Sequence, residues 1–286
     1  MMSVGYLVLL VVDASILLVA VPGHSAILLL YVHDFMRNKS LDIKDQLFCG
    51  LNIFNLLHGL CQTIHNFVIF WDMTIAGKSF YLIFILLILL TTISCTLFFS
   101  TWLSVYFCLK IVNLNKGWYI YVQRRFPQIF PWLLLLSVLG SFLYSAPLAF
   151  FSSQLYASQN MTVLSSYTKE FDSFTFTRLC SSCPIIFFLH RHLRRIQVST
   201  PGSTIPTIKP HITAVKTITM LMILNAFYFI SVTLILLGGN RLTWYYGSVT
   251  MFKVSHVAFV VISIRGNPKI RDKMKLAIHK GVFPIC

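Results

Sequence analysis

Seven long apolar stretches, separated by polar loops, constrain this chain more than any other feature. They run over about 4–32, 46–71, 80–109, 129–151, 174–196, 211–238 and 243–264, the fifth being completed by the polar turn after its apolar part. A helix needs about 20 residues to cross the hydrocarbon of a bilayer, so each stretch reads as a transmembrane helix. The basic residues divide the loops into two kinds. Arg37, Lys39 and Lys44 occupy the first loop, and Lys110, Lys116, Arg124 and Arg125 flank the third. Arg191, Arg194, Arg195, Lys209 and Lys216 gather around the fifth, and the tail from Arg265 is strongly basic. The alternate loops hold only Lys78, Lys169 and Arg241. By the positive-inside rule the N-terminus lies outside and the C-terminus in the cytosol, which an odd number of spans requires. The expected fold is an all-α membrane protein, a seven-transmembrane helix bundle forming a single domain over 1–286.

Composition narrows the function classes. At 57% hydrophobic and 11% charged, the chain is too apolar for a soluble domain of 286 residues. Its net charge of +15 would suit nucleic acid, but the cations sit in short loops beside spans, where they orient the protein and meet anionic membrane lipid. No nucleic-acid partner is expected. The first stretch lacks a basic leader and a small-residue cleavage site, and it carries Asp13, so it reads as the first span and not a signal peptide.

Chemistry-bearing motifs are absent. The sequence holds no HExxH, no GxSxG, no pair of intramembrane aspartates and no glycine-rich phosphate loop, so no enzyme activity and no cofactor are expected. Cys49, Cys61, Cys95, Cys108, Cys180 and Cys183 fall inside apolar spans, where cysteine packs as a small side chain. Cys180 and Cys183 make a CxxC, but a redox pair needs an aqueous approach.

Polar groups inside the spans are the functional candidates, because a charge at mid-bilayer costs about 2.5–3.5 kcal/mol even on lenient scales. Asp13 and Lys253 lie at similar depth on helices one and seven, which are neighbours in a bundle closed in sequence order, and are expected to pair. A second set comprises His24, Asn52, Asn55 and His58. The last three share one face of helix two by their i, i+3 spacing. Two histidines without a carboxylate or thiolate on the same face make a thin metal site, so no metal is expected and interhelical hydrogen bonding is the favoured role. His65 and Asn66 sit higher on helix two.

Several segments then resemble one family. The end of helix three reads LKIVNL (Leu109–Leu114), similar to LKIANF of the type 2 taste receptors, the bitter-sensing seven-helix G-protein-coupled receptors. YIYVQRRF (Tyr119–Phe126), HLRRIQ (His192–Gln197), PTIKPHITAVKT (Pro206–Thr217), NAFYFIS (Asn225–Ser231) and GNPKIR (Gly266–Arg271) follow in that family's order and spacing. The sequon at Asn160 stands where members carry a glycan, on the expected outer face; the sequon at Asn38 stands on the inner one.

The resemblance implies a divergent bitter receptor in the plasma membrane, multi-pass, whose partners are a small-molecule bitter ligand, a heterotrimeric G protein of gustducin type and membrane lipid. It places a ligand cavity in the outer half of the bundle, lined by Leu89, Ile93, Tyr228, Val249 and Phe252, with His65, Asn66 and Lys253 as polar handles. Leu89 and Ile93 replace a tryptophan and an asparagine of the family, so the pocket is expected to be more apolar than usual. Lys110, His192, Arg195, His211 and Lys216 would form the G-protein face. His24 and Asn55 stand near the family's helix-one asparagine and helix-two arginine, so with Asp13 they mark the structural polar network. A vomeronasal type 1 (pheromone) receptor is the alternative. It should show cysteines in its outer loops, and here there are none. A small multi-pass transporter would need a continuous polar path or broken helices, which the spans lack.

Overall fold

The computed structural model describes residues 4–71, 79–111, 117–158 and 242–279, together with part of a helical stretch within 212–231. The described elements are α1 (Val4–Asn38), α2 (Ile43–Trp71), α3 (Ser79–Ile111), α4 (Gly117–Ser158), α5 (Leu242–Gly266) and α6 (Pro268–His279). No strand occurs among the described residues. Four helices contain segments long and apolar enough to cross a membrane: Leu18–Asn38, Ile43–Val68, Phe80–Lys110 and Gly117–Phe150. Within α5, Val254–Gly266 is a shorter apolar segment. The molecule is an all-α membrane protein. The fifth apolar stretch lies outside the described residues.

Neighbours follow chain order. α4 packs on α3, α3 on α2 and α2 on α1; α5 then returns against α1 and α2, and α6 touches α1 and α5. The seventh apolar stretch thus closes on the first. Leu18, Phe84 and Leu143 are 75%, 56% and 70% exposed, which in water would be a liability and in lipid is the ordinary solvated face of a span. The buried core gathers Ile27 and Tyr31 of α1, Leu47 and Leu51 of α2, Phe99 and Leu103 of α3, Phe130 of α4, and Phe259 of α5.

Between membrane helices the apolar contrast with solvent is gone, so association depends on close packing and interhelical hydrogen bonds. The α3–α4 seam shows both. Ser137, Ser141, Ser145 and Ala149 recur every fourth residue along α4 and are all buried, a small-residue stripe. Trp102 of α3 donates its indole N–H to Ser137 Oγ at 2.9 Å. At the α2–α3 crossing, Gly50 sits so close to the Phe99 ring that an added Cβ would overlap it.

The first connection is tight. α1 ends in a left-handed residue, Lys39 (φ 56°), whose N–H returns to Phe35 O at 2.7 Å, an αL cap made without glycine. Asp42 then stands at the N-cap position of α2, its carbonyl accepting the Gln46 N–H at 2.9 Å. Pro22 in α1 and Pro127, Pro131 and Pro147 in α4 are accommodated inside helices, as membrane spans allow.

Candidate functional site

Polar groups are stacked along the bundle in three tiers. The tier nearest the α2–α3 connection involves His65 and Asn66 on α2. His65 Nδ1 lies 3.2 Å from Tyr81 Oη on α3, and the two rings stack with centroids 5.9 Å apart. Asn66 is buried. Leu89 and Ile93, one turn apart on α3, are buried at 9% and 6% exposure; they flank Thr92, the partner of His58, and so lie deeper than Tyr81, level with the middle tier. Val249, Phe252 and Lys253 belong to α5, but their side chains lie outside the described residues, as does Tyr228 entirely. The same holds for the side chain of Asp13, so α1 and α5 are neighbours as the Asp13–Lys253 pairing requires, while the pair itself falls outside the description.

The middle tier brings together the histidine–asparagine set. Asn52 donates its amide to Phe48 O at 2.7 Å, which turns its Oδ1 toward α1, where it accepts from His24 Nδ1 at 2.9 Å. Thr92 Oγ1 spends its proton on the carbonyls of Ile88 and Leu89 and so accepts from His58 Nδ1 at 2.8 Å. Both imidazoles therefore carry their proton on Nδ1 when neutral. His256 of α5 completes the tier: its ring stacks on His58 with centroids 5.6 Å apart and meets His24 edge-on at 6.5 Å. Asn55 turns its amide to Leu51 O at 2.7 Å, so the residue facing His24 is Asn52, one turn lower. Among the described residues no three histidine, cysteine, aspartate or glutamate side chains are placed to hold a metal ion. The tier joins α1, α2, α3 and α5 by hydrogen bonds and ring contacts.

The third tier, at the basic end, is ionic. Asp34 of α1 and Asp45 of α2 are 4% and 2% exposed, where a lone carboxylate would be very costly. Lys269 of α6 bridges them, its Nζ 2.9 Å from Asp34 Oδ2 and 3.3 Å from Asp45 Oδ2. Lys273, one turn further, pairs with the other oxygen of Asp34. Partial burial pulls the Lys273 ammonium below the ordinary lysine range. Asn267 donates to Asp45 Oδ1 and to Tyr31 Oη, both at 3.2 Å. This cluster fixes α6 beneath α1 and α2.

Sequence reasoning counted Lys269 and Lys273 only within the basic tail and did not single out Asp34 or Asp45. Their signal was local: Lys269 and Lys273 are i, i+4 on one helix, and Asp34, Asp42 and Asp45 match Arg37, Lys39 and Lys44 one for one between the first two apolar stretches. His256 was not among the residues singled out from the sequence.

Around this end lie two of the expected effector-face cations. Lys110 is exposed at the close of α3, its Nζ 3.3 Å from Tyr106 Oη and 5.6 Å from that ring's centre. Lys216 is exposed on the stretch within 212–231. Its neighbour Thr217 is buried directly against Gly266, where an added Cβ would overlap the Thr217 side chain. His192, Arg195, His211 and the Asn160 sequon lie outside the described residues.

With this geometry in place, the comparisons are specific. A family model described as Taste receptor protein (TAS2R) matches residues 1–281. Taste receptor type 2 member 41 of Rattus norvegicus is 26% identical over 215 residues, covering 66% of this chain and 69% of the relative. The member 41 of Pan paniscus is 27% identical over 239 residues, covering 75% and 76%. Taste receptor type 2 member 40 of Gallus gallus is 29% identical over 164 residues, covering 50% and 52%.

Proposed function

From the premise that this chain belongs to the taste receptor protein family, we propose a specific mode of action for it. The protein is a chemoreceptor of bitter taste type, a seven-helix membrane receptor and not an enzyme. In the proposed mode it binds small amphipathic compounds in the outer half of the bundle and activates a gustducin-type heterotrimeric G protein from its basic face. It resides in the plasma membrane with the N-terminus outside.

The observation that carries this reading is the family match over nearly the whole chain, combined with the polarity of the first and middle tiers. Leu89 and Ile93, level with the middle tier, offer a buried apolar wall on α3, and His65 and Asn66 stand nearer the outer end on α2 as polar handles. A mostly apolar cavity with few polar groups suits a small ligand bearing one or two heteroatoms. Such a ligand activates only if it binds the active arrangement more tightly than the resting one, so pocket changes are ligand-specific. Changes at the effector face are not. Lys110 and Lys216, exposed beside the ionic tier, support the placing of that face.

The test is a calcium response. Cells given the receptor and a taste-type G protein are challenged with a broad panel of bitter compounds. Ile93→Trp should weaken or redirect agonist selectivity at unchanged surface expression, whereas Lys110→Ala should depress every agonist alike. Silence across the panel, with receptor confirmed at the surface, refutes the ligand class; the opposite pattern for the two variants refutes the placing of pocket and face.

A further inference from the structure

A cavity of about 120 Å³ opens between α2, α3 and α4 at the basic end. Ile43 contributes from α2, Tyr106, Leu109 and Lys110 from α3, and Gln123 and Pro127 from α4. Three features locate it at the membrane–water boundary. Ile43 precedes the apolar stretch 46–71, Lys110 follows the stretch 80–109, and Pro127 precedes the stretch 129–151. At a rise of 1.5 Å per residue, Gln123 lies roughly 9 Å outside that last apolar edge, the depth of lipid headgroups.

The wall is apolar and aromatic, but its polar groups are of two kinds. Lys110 supplies an ammonium with no carboxylate within ion-pair distance among the described residues; its neighbour is the Tyr106 hydroxyl. Gln123 supplies an amide and an unusual backbone acceptor. Pro127 has no N–H, so the Gln123 carbonyl four residues earlier lacks its helical donor. On the opposite face of the same turns of α4, Trp118 and Tyr121 are exposed at 64% and 62% with the Arg125 guanidinium 5.7 Å over the Tyr121 ring, which sets the depth of this end of α4 but does not line the cavity. Aromatic rings interleaved with cations are what the headgroup layer selects.

We infer that this cavity is a binding site for one anionic phospholipid of the inner leaflet. The phosphate would sit on Lys110, a headgroup ammonium on the Gln123 carbonyl, and the glycerol end of an acyl chain against Ile43 and Leu109. Phosphatidylserine has both the net negative charge and the ammonium donor that these two groups select. The inner-leaflet assignment rests on the orientation proposed above, which glycan mapping at Asn160 tests separately from lipid binding.

Full-length receptor purified into phosphatidylcholine nanodiscs doped with phosphatidylserine or phosphatidylglycerol is analysed by native mass spectrometry for retained lipid, without agonist. Wild type should retain phosphatidylserine over phosphatidylglycerol, and either over phosphatidylcholine. Lys110→Gln should lower retention of both anionic lipids about fivefold, the worth of one interfacial cation, while Lys110→Arg keeps it. Pro127→Ala, which returns the missing N–H, should abolish only the preference for phosphatidylserine. Lys275→Gln, exposed on α6 and away from the cavity, should change nothing. Equal loss in Lys275→Gln, competition by inorganic phosphate, or unaltered retention in Lys110→Gln would each overturn the site. A receptor without agonist response would leave this result standing, and the converse also holds.

Discussion

Replacing Lys269 by methionine tests the ionic tier most directly. The side chain keeps an unbranched apolar stem and loses the ammonium with its N–H donors, leaving Asp45, 2% exposed, with the neutral Asn267 amide as its remaining donor among the described residues. Asp34 retains Lys273. At 3.3 Å the Lys269–Asp45 attraction would be about 5 kcal/mol at an effective dielectric constant of 20 and about 1.3 kcal/mol in bulk water. Lys269 is itself 40% exposed, so solvent screening brings the net loss well below the buried limit. A value of about 2 kcal/mol falls between exposed pairs at 0–1 and broken buried pairs at 3–5. It equals roughly a thirtyfold change in the folding equilibrium. Lys273→Met, which leaves Asp34 bridged by Lys269, should cost under about 1 kcal/mol.

Thermal unfolding of the solubilised receptor, followed by a thiol-reactive dye, reads this out, because Cys95 is fully buried and is uncovered only when the bundle opens. At about 2–4 °C per kcal/mol the midpoint should drop by roughly 4–8 °C in Lys269→Met. Adding Asp45→Asn should return most of that loss, since a neutral amide no longer needs the ammonium. Equal destabilisation by Lys273→Met, or no rescue in the double variant, refutes the assignment of Lys269 as the bridge.

Three other outcomes are expected. Glycosidase treatment should shift the mobility of wild type and Asn38→Gln but not of Asn160→Gln; a shift lost with Asn38→Gln instead would invert the topology. Exchanging Asp13→Lys with Lys253→Asp should recover part of the surface expression lost in either single variant, and a double variant no better than the worse single one removes the pair. Gly266→Ala should force α5 and the stretch carrying Thr217 apart, since the new methyl overlaps the Thr217 side chain. Agonist-independent signalling or lost expression is the predicted result, and wild-type behaviour in both assays contradicts the close approach.

Much of the architecture was legible because membrane helices obey a length rule that single residues cannot hide. The apolar stretches at 46–71 and 80–109 became α2 and α3 almost residue for residue. Helix ends in water were less legible: α4 begins at Gly117, well before the apolar stretch at 129, because amphipathic turns continue a helix past the hydrocarbon edge. The buried state of His24, Asn52, Asn55 and His58 followed from polar groups standing in apolar runs. Their pairing did not, since an amide's orientation is set by a carbonyl one turn away, as Phe48 sets Asn52. The ionic tier was hidden by distance along the chain: Lys273 and Asp34 are 239 residues apart. Loop charges read as solvated until a fold brings opposite signs together.

That separation has a consequence for biosynthesis. Asp45 leaves the ribosome 224 residues before its cation does. At roughly 5–20 residues per second, the two buried carboxylates wait about 10–45 s beneath α1 and α2 before Lys269 exists to neutralise them. Until then neither carboxylate has the bridging ammonium that its burial in the folded chain requires. A chain stopped before Lys269 would keep both carboxylates without the cation that bridges them.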